Sequence, residues 1–477
     1  MSVSARLPQI IQGGMGVAVS NWKLARAVSQ AGHLGVVSGT ALDVVLVRRL
    51  QDGDPGGHVR RAMEGFPMPD VVSYVLKRFF IEGGRTPEQP YRLLPMYKQT
   101  VSALRDQVTM LGSFVEVTLA KEGHNGLVGI NLLTKIQMPT LPALYGAMMA
   151  GVHVVLMGAG IPREIPGALD AMANHESASI KLDVVGQLSG ESELLRFDPR
   201  TRFPEANAPL SRPRFFPIVS AATLALTLAR KSNGRVDGFV VEGPTAGGHN
   251  APPRGPMKLN ELGEPIYGER DIVDLAAMRD IGLPFYLAGG SGSPEALEHA
   301  ISEGAAGVQV GTLFAYTDES GFTADIKRRV IDAALRHSVH VRTDARASPT
   351  GYPFKIVILD GDAPTFKPRN RICDLGYLRE ASRRADGKLE YRCASEPIDQ
   401  YLTKGGTLED TVDRQCLCNA LVAGIGAPQS REDHFQEPSI ITSGDDVMNL
   451  SRFLEGRTHY GAADVLAYLT REVAVPV

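Results

Sequence analysis

The residues best suited to chemistry lie in one ten-residue stretch, from Val240 to His249. An apolar run ends in Glu242, and a glycine pair, Gly247 and Gly248, then leads to His249. Glycines that follow a buried strand let main-chain N–H groups approach a ligand closely. A histidine beside them can take up or release a proton near neutral pH. The stretch therefore predicts a ligand-binding loop with an acid or base at its edge, and a turn with a solvated histidine is the alternative.

The composition limits the class of protein. The chain has 477 residues, 43% of them hydrophobic, and a formal net charge of −3. It is long enough for one α/β barrel of roughly 250 residues with additions, or for two domains. A slightly acidic chain is unsuited to nucleic acid, because phosphate neutralisation needs a basic face. We find no apolar signal segment at the amino terminus and no apolar run of the roughly 18 residues that a membrane span needs, so we expect a cytoplasmic protein with no membrane partner.

All four cysteines lie late in the chain, at Cys373, Cys393, Cys416 and Cys418. So few in a chain of this length do not make a disulfide framework, which fits a reducing compartment. Their clustering raises the alternative of a zinc or iron–sulfur site, but the close pair is C-x-C rather than C-x-x-C. We therefore favour small thiols without a metal.

The elements that must position these residues alternate between strand and helix. Segment 179–185 competes with 215–220 for the fifth strand, and we favour 215–220 because it completes a β-α-β unit. The order predicts a (β/α)₈ TIM barrel rather than an open sheet. The eight predicted strands are 8–12, 34–37, 127–131, 152–157, 215–220, 238–242, 284–288 and 306–310.

The predicted barrel spans residues 1–335 and carries additions. A large insertion covers about 52–126, with helices expected near Val71 and Met96, and a second candidate insertion covers about 180–214. Residues 336–477 form a C-terminal extension that we expect to pack on the barrel or on the partner subunit of a homodimer.

Two loops after the last predicted strands suit a phosphate group. The seventh-strand loop contains Gly289 and Gly290 and leads to a helix capped by Ser293, and the eighth-strand loop contains Gly311 and Thr312. In barrels such loops often bind phosphate through oriented N–H dipoles. In isolation, Gly-Gly-Ser-Gly is also typical of a flexible turn. A Rossmann site is excluded, because no G-x-G-x-x-G opens a helix after the first strand.

Five motifs, taken together and in order, resemble the nitronate monooxygenase family, formerly called 2-nitropropane dioxygenases. That family also includes FMN-dependent enoyl-acyl-carrier-protein reductases and trans-acting enoyl reductases. The resemblance covers about residues 7–335 and leaves the C-terminal extension outside. The motifs are QGGMG (12–16), GIN (129–131), EGPTAGGH (242–249), AGG (288–290) and GVQVGT (307–312).

The resemblance implies FMN on a TIM barrel. It implies that Gly14 and Met15 line the flavin ring and that Asn131 hydrogen-bonds the isoalloxazine or the ribityl region. Gly247 and Gly248 would pass beside the cofactor. Gln309 either contacts the ligand or fills the barrel, and Glu242 either orients ribityl hydroxyls or accepts a structural hydrogen bond. The implied phosphate-binding residues are Gly289, Gly290, Gly311 and Thr312.

The resemblance also implies the reaction. A nitronate monooxygenase oxidises alkyl nitronates with O₂ through FMN, and His249 would act as a base or stabilise the anionic nitronate. The alternative is an NAD(P)H-dependent enoyl reductase of a fatty-acid or polyketide pathway, and a further one is a flavin-free barrel that serves as a binding module. Arg254, in the proline-bearing loop after His249, is the candidate substrate contact, since it can pair with a carboxylate or phosphate.

Overall fold

Parallel strands form a closed barrel in this computed structural model, which describes residues 7–188, 190–205, 208–359, 369–432 and 435–473. Each strand of the barrel pairs with the barrel strand that follows it in the chain, and the eighth strand pairs with the first, which closes the barrel. The predicted (β/α)₈ TIM barrel is confirmed. Its strands are β1 (Ile10–Gln12), β2 (Leu34–Ser38), β3 (Val128–Leu133), β4 (Val154–Gly158), β5 (Arg214–Val219), β6 (Phe239–Glu242), β7 (Phe285–Ala288) and β8 (Gly307–Val310).

Strand register brings the carboxyl ends of the strands to one face. Ser38 of β2 lies beside Asn131 of β3, and Glu242 of β6 lies beside Ala288 of β7. At the opposite face, the Tyr286 hydroxyl donates to the carbonyl of Pro8 at 2.7 Å. The interior between the two faces is packed with buried side chains, among them Ile11, Val36, Leu156, Phe216 and Val240. The barrel is therefore solid, and ligands are confined to its carboxyl face.

Helices surround the barrel and begin where the sequence supplies caps. Asn21, for example, accepts hydrogen bonds from the N–H groups of Lys23 and Leu24. Short 3₁₀ turns cover Glu269–Asp271, Glu409–Thr411 and Asp445–Asn449. The helices are Trp22–Gln30, Leu42–Gln51, His58–Met63, Pro69–Phe79, Ala103–Lys121, Thr140–Met149, Ile165–Ala173, Pro199–Arg202, Ala222–Lys231, Leu275–Asp280, Pro294–Ser302, Thr312–Ala315, Ala324–Leu335, Ile398–Thr403, Leu417–Gly424, Leu450–Leu454 and Ala462–Leu469.

The prediction of a helix near Met96 is wrong. The backbone between residues 85 and 102 is irregular, and the helix begins only at Ala103, where Ser102 caps it. Prolines at 87, 90 and 95 lack the N–H donors that a helix needs, which accounts for the later start. The expected helix near Val71 is confirmed as Pro69–Phe79.

The choice of the fifth strand is confirmed, since Arg214–Val219 pairs with both β4 and β6. The competing segment forms strands outside the barrel. Ala178–Leu182 pairs with Glu193–Phe197, and Val184–Val185 pairs with Glu380–Arg383 of the C-terminal extension.

The C-terminal extension and the segment 52–126 meet at the carboxyl face of the barrel. The Tyr91 N–H donates to Gln429 Oε1 at 3.1 Å, and Gln429 Nε2 donates to the Tyr91 carbonyl at 3.2 Å. Tyr377 donates to the buried carboxylate of Asp43, which also pairs with Arg105 at 2.7 Å. The remaining strands of the extension form two hairpins, His340–Asp344 with Phe354–Ile358 and Glu380–Arg383 with Leu389–Arg392.

Within the described parts of the chain, no helix combines the length and the apolar character needed to cross a membrane.

Candidate functional site

A cavity opens at the carboxyl ends of the strands and encloses about 1470 Å³, including its open mouth. We call it the central cavity. His249 lies in its wall, but Arg254 does not. Every residue that the sequence suggested for a cofactor lines it: Gly14, Met15, Asn131, Glu242, Gly247, Gly248, Gly289, Gly290, Gln309, Gly311 and Thr312.

Glycine is required at several points of this wall. A Cβ atom on Gly14 would lie 2.3 Å from the Cβ of Asn131, so any side chain there collides with β3. Gly289 has a φ of +88°, and its Cβ would lie 2.9 Å from the backbone nitrogen of Ala246. At both points glycine lets the loops of the wall pack closely against neighbouring residues of the protein, which a side chain would prevent.

The first loop of the wall is held by two buried polar side chains. Ser20 Oγ donates to the Gly13 carbonyl at 2.8 Å and accepts from the Met15 N–H at 2.9 Å. Gln12 Oε1 accepts from the Val36 N–H at 3.1 Å. The loop keeps its shape because these bonds tie it to the barrel.

Gln309 brings an unused acceptor to the wall. Its Oε1 atom is buried, and it has no hydrogen-bond partner among the residues that the structure describes. An unpaired buried carbonyl is costly in a folded protein. The arrangement fits a ligand that donates an N–H or O–H group to Gln309.

The predicted phosphate loops combine backbone donors with a carboxyl group. Ser293 caps the helix that follows β7, as expected, by accepting from the Ala296 N–H at 3.2 Å. The Gly292 N–H, however, donates to Asp446 Oδ2 at 3.1 Å, and burial raises the pKa of that carboxyl. Thr312 Oγ1 accepts from the Gly444 N–H at 3.0 Å. Lysine and arginine are missing from the described lining of the cavity, so an anion there would depend on N–H dipoles.

His249 is fixed by its neighbours on the C-terminal side. Its Nε2 lies 2.7 Å from Ser348 Oγ, and its ring packs edge-on against Phe354 with centroids 4.8 Å apart. Burial and the nearby charge of Lys135 lower the pKa of His249 to about 4. The imidazole is therefore neutral at pH 7, which suits a base or a hydrogen-bonding group rather than a fixed cation.

Glu242 stands at the end of β6, close to His249. Burial raises the pKa of its carboxyl to about 8. The group is therefore largely protonated at neutral pH and can donate a hydrogen bond. A strongly shifted carboxyl in a cavity wall is a typical sign of a functional site.

A second chamber lies behind His249 and Glu242 and encloses about 900 Å³, including its open part. Those two residues, with Ala159 and Ile218, line both cavities. Arg254 lies in the second chamber, where its side chain donates to the Ser220 carbonyl at 3.1 Å. The structure thus separates Arg254 from the predicted cofactor residues while leaving it close to the histidine.

Sequence reasoning missed the part of the site that the C-terminal extension provides. The signal in the sequence was weak: Ser348 to Pro353 shows turn composition after a strand, and 443–446 carries a serine, a glycine and two acids. Neither stretch belongs to the motifs that suggested a cofactor. Extension residues in the cavity wall include Phe354, Leu375, Tyr377, Leu378, Leu417, Cys418, Leu421, Thr442, Ser443, Gly444 and Asp446.

The four cysteines are free thiols, and only Cys418 is in the cavity wall. Burial raises the pKa of all four thiols, in the case of Cys416 to about 12. Protonated thiols are poor metal ligands and poor nucleophiles. Among the described residues, no group of three or more His, Cys, Asp or Glu side chains could hold a metal ion.

The family model of nitronate monooxygenase matches residues 163–349. This region contains β5 to β8, His249, both predicted phosphate loops and Ser348. With the barrel and its glycine-lined cavity, the match defines a flavin-dependent oxidoreductase on a TIM barrel. Over residues 163–349 the chain is similar to the nitronate monooxygenase family, which confirms the resemblance carried by the motifs.

A curated relative from Mycobacterium tuberculosis, (3aS,4S,5R,7aS)-5-hydroxy-7a-methyl-1-oxo-octahydro-1H-indene-4-carboxyl-CoA dehydrogenase, is 32% identical over 103 residues. The match covers 22% of this chain and spans only 26% of the relative.

Two solved structures are similar over most of their length. The M276A mutant of FabK from Thermotoga maritima is 14% identical, with 97% of this chain and 91% of that chain covered and a TM-score of 0.47. Nitroalkane oxidase from Streptomyces ansochromogenes is 16% identical, with 98% and 96% covered and a TM-score of 0.46.

Proposed function

We propose that the protein is an FMN-dependent nitronate monooxygenase that oxidises alkyl nitronates with O₂. One observation carries the proposal: a single cavity gathers residues from the carboxyl ends of all eight barrel strands, together with His249 and the neutral carboxyl of Glu242. The family match over 163–349 supports the same class of reaction.

The residues present fit a flavin. The wall offers glycine-rich main chain at the strand ends, an unused acceptor at Gln309, and N–H dipoles after β7 and β8. When bound, FMN supplies electron transfer from the substrate to O₂. We assign ring contacts to Gly14, Met15 and Asn131. We assign the phosphate to Gly289, Gly290, Gly311 and Thr312.

His249 and Glu242 act on the substrate in this proposal. They line both chambers, so a small molecule in the second chamber meets both side chains at the border with the central cavity. The neutral imidazole of His249 accepts a proton from the carbon of a nitroalkane, which leaves the nitronate. The neutral Glu242 carboxyl donates to a nitro or nitronate oxygen, which draws negative charge to that oxygen.

The proposal is tested with purified protein incubated with FMN and freed of excess cofactor. We expect a flavin spectrum, bleaching by an alkyl nitronate without O₂, and O₂ consumption in air. The His249→Asn variant keeps the flavin but loses about 100-fold in turnover, the lower range for a general acid or base. Protein that stays colourless after incubation contradicts the proposal and supports a barrel that only binds a partner. Normal turnover in the variant removes His249 from the mechanism.

A second candidate function is an NAD(P)H-dependent enoyl reductase acting on an acyl thioester. The second chamber favours it, because its largely apolar wall ends at the exposed Arg254, which could pair with the phosphate of a thioester carrier. The name of the mycobacterial relative, a carboxyl-CoA dehydrogenase, points to the same class of substrate. Rapid NADPH or NADH oxidation with an enoyl thioester, and none with nitronate, would select this function over the first.

A further inference from the structure

The loop that carries His249 is bound on one side to a segment that begins at Ser348. The Lys355 N–H donates to the Gly248 carbonyl, and the Asn250 N–H donates to the Pro353 carbonyl, both at 2.9 Å. His249 forms an antiparallel bridge with Phe354 between these bonds. The histidine and the Ser348 segment therefore move as one unit.

Ser348 itself is held from several directions. Its side chain is fully buried, and its carbonyl accepts from Arg414 Nη1 at 2.6 Å. Asp344 Oδ1 accepts from the N–H groups of Arg346 and Ala347, each at 2.8 Å, which shapes the turn before it. The Gln415 N–H donates to the Ala347 carbonyl at 2.9 Å. The hydroxyl is thus presented to His249 by a built support and not by a flexible loop.

The hydrogen bonds around Ser348 Oγ restrict how it can bond to the ring. Oγ accepts from the Thr350 N–H at 3.2 Å and lies 2.8 Å from Thr350 Oγ1. If Ser348 donates to Thr350, it is free to accept from Nε2 of His249. In the opposite arrangement Ser348 donates to Nε2, and the ring proton lies on Nδ1. That ring has no free nitrogen to accept a proton, so the first arrangement is the one that suits the base role proposed for His249.

We propose that Ser348 is a positioning residue, which accepts the Nε2–H of His249 and so keeps Nδ1 unprotonated toward the substrate. Both the choice of tautomer and its importance for turnover rest on the proposed role of His249. Ser348 touches neither cavity and acts only through the ring. The C-terminal extension contributes to the positioning of His249, because Arg414 and Gln415 hydrogen-bond to the turn that carries Ser348.

The test compares the full chain with Ser348→Ala, Ser348→Thr and Ser430→Ala. Ser430 is a matched control, since it is also buried, its hydroxyl donates to the Pro87 carbonyl at 2.7 Å, and it lines neither cavity. Protein with ¹⁵N-labelled histidine is studied by NMR at pH 7, and a His249→Asn sample identifies the ring signals. We expect Nε2–H in the wild type and in Ser348→Thr, and a substantial Nδ1–H population in Ser348→Ala.

Turnover gives the second measurement. We expect kcat to fall about tenfold in Ser348→Ala, as for the loss of one buried hydrogen bond, with KM and FMN affinity unchanged. Ser348→Thr restores kcat, and Ser430→Ala leaves it at the wild-type value. An Nδ1–H tautomer in the wild type, or the same tautomer in Ser348→Ala, overturns the proposal. A correct tautomer shift in a protein without nitronate turnover instead counts against the proposed function alone.

Discussion

The two chambers at the carboxyl face of the barrel are built in different ways. The central cavity is lined mainly by small residues and main chain at the strand ends, such as Gly14 and Gly289. The second chamber is lined largely by side chains of the loop after β6, such as Arg254 and Tyr267. Main chain fixed by a barrel can hold one ligand in one position, whereas loop side chains can change without loss of the fold. The contrast favours a cofactor in the first chamber and a selected substrate in the second.

The largest effect on the comparison is expected from distorting the wall of the central cavity at Gly14. Gly14→Ala places a Cβ atom 2.3 Å from that of Asn131, so the loop or β3 must shift. We expect FMN affinity to fall about 100-fold, the upper part of the range for an overpacked site. Fluorescence titration of FMN measures the effect.

Gly268→Ala is the control for this change. Gly268 has extended backbone, and an added Cβ would meet no atom within 4 Å. Its FMN affinity should equal that of the wild type. Equal affinities for Gly14→Ala and Gly268→Ala would show that the flavin does not lie against Gly14.

The pH dependence of turnover and substitutions of Glu242 test the boundary that the two chambers share. Burial raises the pKa of its carboxyl to about 8, so the donating neutral form is present below that pH and is lost as the pH rises through it. We expect wild-type kcat/KM to decline above pH 8. Glu242→Gln keeps a donor and should remove the decline, while Glu242→Ala should lose about tenfold at pH 7, as for one lost hydrogen bond.

Other charged groups near Glu242 allow a check on this assignment. Burial raises the pKa of Tyr267 to about 12, and His249 titrates near 4, so neither changes charge at pH 8. Further charged groups beside the two chambers are Lys135, Arg254, Asp271 and Asp446. An alkaline decline that persists in Glu242→Gln would assign it to a group other than Glu242.

We expect the smallest effect from a substitution in the second chamber, at Arg254. Arg254 is exposed, so Arg254→Gln should raise KM by about two- to fivefold, the size typical of an exposed charge, and leave kcat and FMN binding unchanged. Arg230→Gln, on the exposed face of the helix Ala222–Lys231, serves as the control. A loss of FMN affinity in Arg254→Gln would mean that the chambers are not divided as described.

The barrel could be predicted because each strand is a short apolar run that ends in glycine or a polar residue. The wall of the central cavity followed from those strand ends, since parallel strands place their carboxyl ends on one face. The helix Ala103–Lys121 was expected too early, near Met96, because it is buried on most of its surface and has no clear apolar face to mark its bounds.

Contacts between distant parts of the chain gave no local signal. Ser348 lies 99 residues after His249, and Tyr377 lies 334 residues after Asp43, its buried hydrogen-bond partner. The residues that flank Ser348 and Tyr377 in the sequence do not indicate which distant residue each side chain will contact in the fold. Pairings of this kind are set by how the extension folds back on the barrel, and periodicity does not report that.

The wall of the central cavity draws on residues from Gly13 to Asp446. During translation, the eight strands can therefore emerge and pair well before the wall is complete. Phe354, Tyr377 and Asp446 leave the ribosome only afterwards. A nascent barrel would present its glycine loops to water with one side of the cavity still open, and stable capture of a flavin would have to wait for nearly the whole chain to be synthesised.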